Sequence, residues 1–366
     1  MEKSPIQWRW HAPGGRSVPG RLALARRGVN HGALERGLAP PAVPLDIEGR
    51  FARAEPILLR GWLPISSPRA RVEIESTRRW FERLRGGADF SAGVRERLDA
   101  SASGPKSSAR IVGTSVDTAE PRELEKVHVD SLCHGRAGRD LYAKLSLIAA
   151  EERDESLRVR FSFGSERDGD WQGHARRALA ADALAQWVFP ESKLFAQHAG
   201  LGKLLQRLCG RKVRLSERIV YSNAPDGGAS FHHDAEPRQL AVVYGQMCGA
   251  TAWLALPRPE LAEELAAMAR AGAIRRPIKR PEQAMAALEA TDAPWLDLVL
   301  NQDPRLTARL VERGAFYKLQ AGDILILPSP SRELCAWHSV FALGHRPSVA
   351  HSYGLFALQG RGVARR

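Results

Sequence analysis

Two imidazoles and one carboxylate are the side chains of this sequence best suited to joint chemistry. His232 and Asp234 lie in Ser230-Phe-His-His-Asp-Ala-Glu236, and His338 lies far downstream in Cys335-Ala-Trp-His338. Two His and one carboxylate are the protein ligands of a non-haem iron(II) that keeps positions open for substrate and oxygen. The short spacing has a geometric reason. Residues two apart on a strand point to the same face, so His232 and Asp234 are expected to grip one ion while His233 points away. His-x-Asp alone arises often by chance, and a single His beside Trp337 reads as a core histidine. Order and surroundings together carry the metal reading.

The elements that must bring these residues together can be read from periodicity. Strand texture runs over Lys126–Leu132 and Leu157–Phe163, then over 213–223, 229–235, 239–248 and 250–256. Helical texture covers 75–87 and 174–209, the latter broken at Pro190 and at Gly200-Leu-Gly202. A second helical block occupies 259–271, 281–300 and 303–313, with Pro259 at a first helical position and Asp303 as an N-cap. Strands then resume at 315–320, 323–327, 335–342 and 347–358. Residues 1–70 are rich in Pro, Gly and Arg and read as loops, and 100–122 reads as a linker. The order is helices, strands, a helical insertion, then strands. It predicts an α+β fold, a small β-barrel or sandwich (jelly roll) flanked by helices, and not a doubly wound sheet. The expected divisions are an N-terminal region over 1–105 and a main domain over 123–366. The main domain has its β core at 213–358 and the helical insertion at 258–314 between barrel strands. That insertion is placed to be a lid, a substrate wall or a dimer contact.

The neighbourhood of the three residues extends the pattern. Tyr221-Ser-Asn223 ends a strand, Pro225-Asp-Gly-Gly228 turns, and Phe231-His-His-Asp234 follows. Gly245-Gln-Met-Cys-Gly249 leads into Trp253-Leu-Ala-Leu-Pro257, and Gly322-Asp-Ile-Leu-Ile-Leu-Pro328 precedes His338. Gly344-His-Arg346-Pro-Ser348 enters the last strand. This ordered series, over roughly 213–358, resembles the iron(II)/2-oxoglutarate-dependent oxygenases of the double-stranded β-helix, or cupin-like, fold. The resemblance implies oxidative decarboxylation of 2-oxoglutarate to succinate and CO2, coupled to hydroxylation or another C–H oxidation. His232, Asp234 and His338 would hold Fe(II), with 2-oxoglutarate and O2 as cosubstrates. Arg346, eight residues after His338, would anchor the far carboxylate of 2-oxoglutarate through paired charge-assisted hydrogen bonds. Ser348, two residues on, shares its strand face and could add a bond. Tyr221 and Asn223 share a face and could reach cosubstrate or substrate. Jumonji-type members bind that carboxylate through a Lys on the strand that here carries Cys248, so the match to that group is weak. Asp234 stands where related halogenases leave room for chloride, which argues against halogenation.

Composition bounds the rest. The chain has 366 residues, 44% of them hydrophobic, enough for a sizeable core, and no apolar run of the roughly 20 residues a membrane span needs. It starts Met-Glu-Lys-Ser-Pro without an apolar signal core, and its four Cys form no Cys-x-x-Cys pair. A cytoplasmic protein with reduced thiols is expected. The net charge is +13, but Arg is scattered along the chain, so nucleic acid is the less favoured partner despite basic pieces such as Arg275-Arg-Pro-Ile-Lys-Arg280. The expected substrate is a small molecule, an amino-acid derivative or a peptidyl side chain. The alternatives are an oxygenase acting on nucleic acid or a nucleic-acid-bound protein, and a cupin-like protein that holds metal without oxidation. Cys133-His134 lacks a second ligand pair for zinc, His351 faces away from Arg346, and Trp253 and Phe356 read as core.

Overall fold

A computed structural model describes residues 21–26, 29–35, 46–101, 108–116, 123–133, 136–148, 156–163, 171–274, 278, 280–290 and 293–358. His134 and Arg275–Pro277 lie outside them, as does most of the Arg-rich stretch before residue 46.

The first described elements are a hairpin of β1 (Arg21–Arg26) and β2 (Val29–Glu35), then α1 (Ile47–Ala52) and β3 (Ile57–Leu59). Next comes α2 (Pro68–Arg85), which starts earlier than its apolar period suggested. Ser67 accepts from the Ala70 amide at 3.2 Å, and Pro occupies the first turn, where no amide donor is missed. After α3 (Phe90–Ser101) four strands follow: β4 (Ser108–Ser115), β5 (Glu123–Cys133), β6 (Arg136–Leu147) and β7 (Leu157–Phe163). Part of the expected linker is therefore β4, which pairs with β5. Helices α4 (Trp171–Val188), α5 (Lys193–Ala196) and α6 (Ala199–Cys209) lead to β8 (Val213–Asn223), β9 (Gly228–His232), β10 (Gln239–Cys248) and β11 (Ala250–Pro257). The insertion forms α7 (Arg258–Arg270), α8 (Pro281–Glu289), α9 (Pro294–Gln302) and α10 (Pro304–Glu312). The expected helix over 281–300 is thus two helices, each opening with a proline. The chain closes with β12 (Phe316–Gln320), β13 (Ile324–Pro328), β14 (Ala336–Leu343) and β15 (Ser348–Ala357).

Two antiparallel sheets face each other. The larger has the order β3-β13-β10-β15-β8-β7-β6-β5-β4, and the smaller β12-β11-β14-β9. Register sorts their side chains by face. Tyr221 pairs with Ala350 on one side and Arg158 on the other, and Val242 pairs with Gly354 and Leu327. Val242, Tyr244, Leu325, Leu327 and Ala350 meet Trp253, Ala255, Tyr317, Leu319 and Val340 of the smaller sheet in one buried cluster. On the outer side of the large sheet Val159, Val220, Val243 and Tyr353 pack under α2, α4 and α6 through Phe81, Leu184, Phe189 and Leu205. On the outer side of the small sheet Leu254, Leu256, Trp337 and Phe341 pack under the insertion through Leu261, Leu265, Leu300 and Leu310. The result is helices, sheet, sheet, helices: a mixed α+β sandwich. The first hundred residues take part in it, since β3 pairs with β13 and α2 joins the outer core. Among the described residues no helix is long and apolar enough to cross a membrane.

Candidate metal centre

The two histidines meet because their strands are direct neighbours. His232 on β9 and His338 on β14 are register partners, with ring centroids 4.3 Å apart. β9 ends at His232, so Asp234 reaches the site from the following irregular stretch and not, as the spacing suggested, from the same strand. That stretch is held in place. Gln239, buried at the start of β10, donates to the Asp234 carbonyl at 2.7 Å. The His233 ring turns the other way and packs tilted against Trp337, with centroids 5.2 Å apart and ring planes at 58°.

One ligand atom from each of His232, Asp234 and His338 lies within 4.8 Å of the others. His232 Nε2 is 3.6 Å from Asp234 Oδ1, and His338 Nε2 is 3.4 Å from Asp234 Oδ2. The other ring nitrogens are spoken for. His232 Nδ1 is 2.7 Å from the Ser230 carbonyl and His338 Nδ1 is 3.4 Å from that of Ala336. A carbonyl only accepts, so each Nδ1 carries the proton and each Nε2 offers a lone pair toward the shared point. Removal from bulk water pushes the His232 imidazole down to about 4, His338 adding to this and Asp234 opposing it. For Asp234, removal from water acts upward, but the two imidazoles outweigh it and hold the carboxyl well below its usual range. At neutral pH His232 is thus a neutral nitrogen donor and Asp234 a carboxylate, the states in which each can ligate a divalent transition metal.

A pH prediction follows from the His232 shift. A free imidazole loses metal to protons below about pH 6.5, whereas here competition begins only near the lowered value. The His232 ring of the metal-free protein, followed by NMR, is expected to stay neutral from pH 7 to roughly pH 5 and to take up a proton as pH 4 is approached. Half-protonation already near pH 6 would contradict it.

The trio sits in the wall of a cavity of about 700 Å³ between the sheets. Tyr221 and Asn223 on β8 line it, as do Arg158 and Arg160 on β7. Tyr221 is held protonated. Burial, then the Asp234 charge, push its phenol well above the ordinary value, with the two arginines opposing. Arg158 is further placed by a bond from Nε to Ser146 at 3.0 Å. Trp253, read as a core residue, both fills the inter-sheet core and lines the cavity 5.4 Å from the His338 ring. Its indole begins a chain of bonds: Trp253 Nε1 to Thr251 at 2.9 Å, Thr251 to Gln246 at 2.9 Å, and Tyr244 to the same Gln246 oxygen at 3.3 Å.

Arg346 is not brought to this place. It lies on an exposed turn between β14 and β15, apart from the residues that line the cavity. Ser348 is buried and accepts from Asn223 Nδ2 at 3.3 Å, behind the lining. Among the described residues the cations at the cavity are Arg158 and Arg160, which the sequence reading passed over. The alternation of β7 did place them opposite Val159 and Phe161. What it did not show was that their face continues the cavity wall. Cys248 is part-buried with its thiol pushed up by burial, so it offers neither cation nor thiolate. His351 points to the outer side, 3.1 Å from the buried Glu191 carboxylate.

No protein-family model matches the sequence, and neither does any curated protein. Among solved structures the chain is similar to YcfD, a ribosomal oxygenase from Escherichia coli, at 14% identity and a TM-score of 0.30. The match covers 86% of this chain and 51% of the other, so it spans about half the length of that structure.

Proposed function

We propose that this protein is an iron(II)/2-oxoglutarate-dependent oxygenase on a double-stranded β-helix core, hydroxylating a C–H bond of a small molecule, an amino-acid derivative or a peptidyl side chain. The observation that supports this most is the convergence of His232, Asp234 and His338 on one point at the wall of a cavity. The donor set fits a ferrous ion. It offers two nitrogens and one oxygen, with both tautomers set by backbone carbonyls, and leaves the cavity side for other ligands. When bound, iron would supply oxygen activation coupled to decarboxylation of the keto acid to succinate and CO2.

The chain's own residues divide the remaining work. Asp234 is ionised and balances part of the charge of a divalent ion. Arg158 and Arg160 take the role the sequence gave to Arg346, binding the far carboxylate of 2-oxoglutarate by charge-assisted hydrogen bonds. Tyr221, kept protonated, donates from the same wall, and Asn223 lies beside it. Val242, Leu327 and Trp253 line the cavity with apolar surface that keeps water from the reacting carbon. The test is spectroscopic and catalytic. Iron-loaded protein without oxygen is expected to develop a weak visible charge-transfer band on addition of 2-oxoglutarate, and to release succinate once oxygen is admitted. An iron-loaded protein showing neither would be a metal-binding protein of another kind.

A further inference from the structure

The strand that carries His232 is poorly held by its own sheet. β9 has five residues, lies at the edge of the small sheet, and meets β14 at three register pairs with an irregularity between His338 and Val340. A slip of one residue would turn His232 to the opposite face. Two buried side chains from elsewhere grip this strand. Arg26 of β1, 4% exposed, donates from Nη1 to the Ala229 carbonyl and to Ser339 Oγ, each at 2.5 Å, and from Nη2 to Asn301 Oδ1 at 2.9 Å. Asn301 of α9, 6% exposed, accepts the Phe231 amide on that same oxygen at 2.7 Å. Its Nδ2 donates to Asp297 at 2.8 Å, and Asp297 lines the cavity. Ser339, next to His338, also donates to the Ala229 carbonyl, at 3.1 Å. The gripped residues, Ala229 and Phe231, flank Ser230, whose carbonyl sets the tautomer of His232. The Arg26 guanidinium lies 4.9 Å over the Phe341 ring, which holds it against β14.

We infer that Arg26 and Asn301 are positioning residues of the metal centre, through which the N-terminal hairpin and the helical insertion set the place and tautomer of His232. This rests on the metal reading given above. Burying a guanidinium and a carboxamide is costly unless each polar atom is bonded. Here each bonds the edge strand and the other, with Arg26 reaching Ser339 and Asn301 reaching Asp297 as well. The N-terminal region and the insertion thereby become parts of the site.

Cobalt(II) titration of the purified full-length protein tests this, alongside thermal unfolding of the metal-free form. Asn301→Leu and Arg26→Met are expected to weaken Co(II) binding roughly ten- to hundredfold, the range for groups that orient a metal ligand. Asn301→Asp keeps an acceptor for Phe231 and Arg26 but loses the donor to Asp297, so it is combined with Asp297→Asn, which supplies the donor from the other side, and the pair is expected to recover most of the affinity. Arg258→Met removes a buried arginine of the same insertion that bonds the carbonyls of Met285 and Arg332. It controls for general destabilisation, and its Co(II) affinity is expected to stay near that of the parent. Should Arg26→Met fail to fold, Arg26→Lys, which keeps a single donor group, replaces it with the same expected direction. The inference is overturned if the Arg26 and Asn301 variants bind Co(II) as the parent does, or lose no more affinity than Arg258→Met. Asp234→Ala in the same titration separates the two levels: retained Co(II) binding there would overturn the metal centre itself.

Discussion

Asp234→Ala is expected to abolish iron loading and to bring 2-oxoglutarate-dependent succinate release to background. The carboxylate is the only anionic ligand of the three, and its loss leaves two imidazole nitrogens with no charge to balance a divalent ion. Removing a group that merely orients a ligand lowers affinity or activity by roughly ten- to hundredfold, so losing a ligand itself should exceed the upper end. The variant should still fold. Asp234 lies at the cleft surface with 41% of its side chain exposed, and relief of its charge removes no packed volume. Succinate assayed across an iron titration checks this. Undiminished turnover would place the chemistry elsewhere in the molecule.

Arg158→Ala and Arg160→Ala are expected to raise the KM for 2-oxoglutarate with smaller effects on kcat, while Arg346→Ala leaves KM unchanged. A hydrogen bond to a charged group contributes about 1.5–3 kcal/mol, and each 1.4 kcal/mol or so is tenfold in affinity. Each cavity arginine that touches the cosubstrate should therefore cost roughly ten- to hundredfold in KM. A control with a keto acid lacking the distal carboxylate should show no such dependence. If Arg346→Ala raises KM and the β7 variants do not, the carboxylate lies where the family pattern first suggested and the cavity arginines have another task.

Much of the core could be read from the residues alone. β7, β8 and β10 match their expected bounds, because β7 and much of β8 alternate apolar with polar residues and β10 carries the apolar run Leu240-Ala-Val-Val-Tyr244. The three candidate ligands were legible from an imidazole and a carboxylate two residues apart and a Gly-Asp-apolar-Pro stretch before the distal His, although Asp234 comes from the stretch after β9 and not from the strand itself. β4 was lost because it is an exposed edge strand of Ser, Gly and Thr with no apolar alternation. β6 was lost because it begins Arg136-Ala-Gly-Arg-Asp140, although Leu141, Ala143 and Leu145 are buried. The arginines of β7 show a different limit. Their identity and face were visible, but their role needs a register, Arg158 opposite Tyr221, that joins segments with α4, α5 and α6 between them. Arg346 failed for the converse reason. Its spacing from His338 suited a hairpin return, yet β14 stops at Leu343 and β15 starts at Ser348, leaving Arg346 in the turn. Arg26 carried no signal at all, since one arginine among several in an Arg-rich stretch does not announce that it is buried.

The direct pairing of β9 with β14 has a consequence for assembly. The entire helical insertion separates the two strands along the chain, so their meeting is a long-range closure with an entropic cost that local contacts do not repay. Before that closure the chain displays only His-x-Asp, too sparse a chelate to capture a ferrous ion. On the function proposed above, the metal would therefore enter a receptor whose tertiary structure is already complete, and a chelator is expected to empty the site without unfolding the protein.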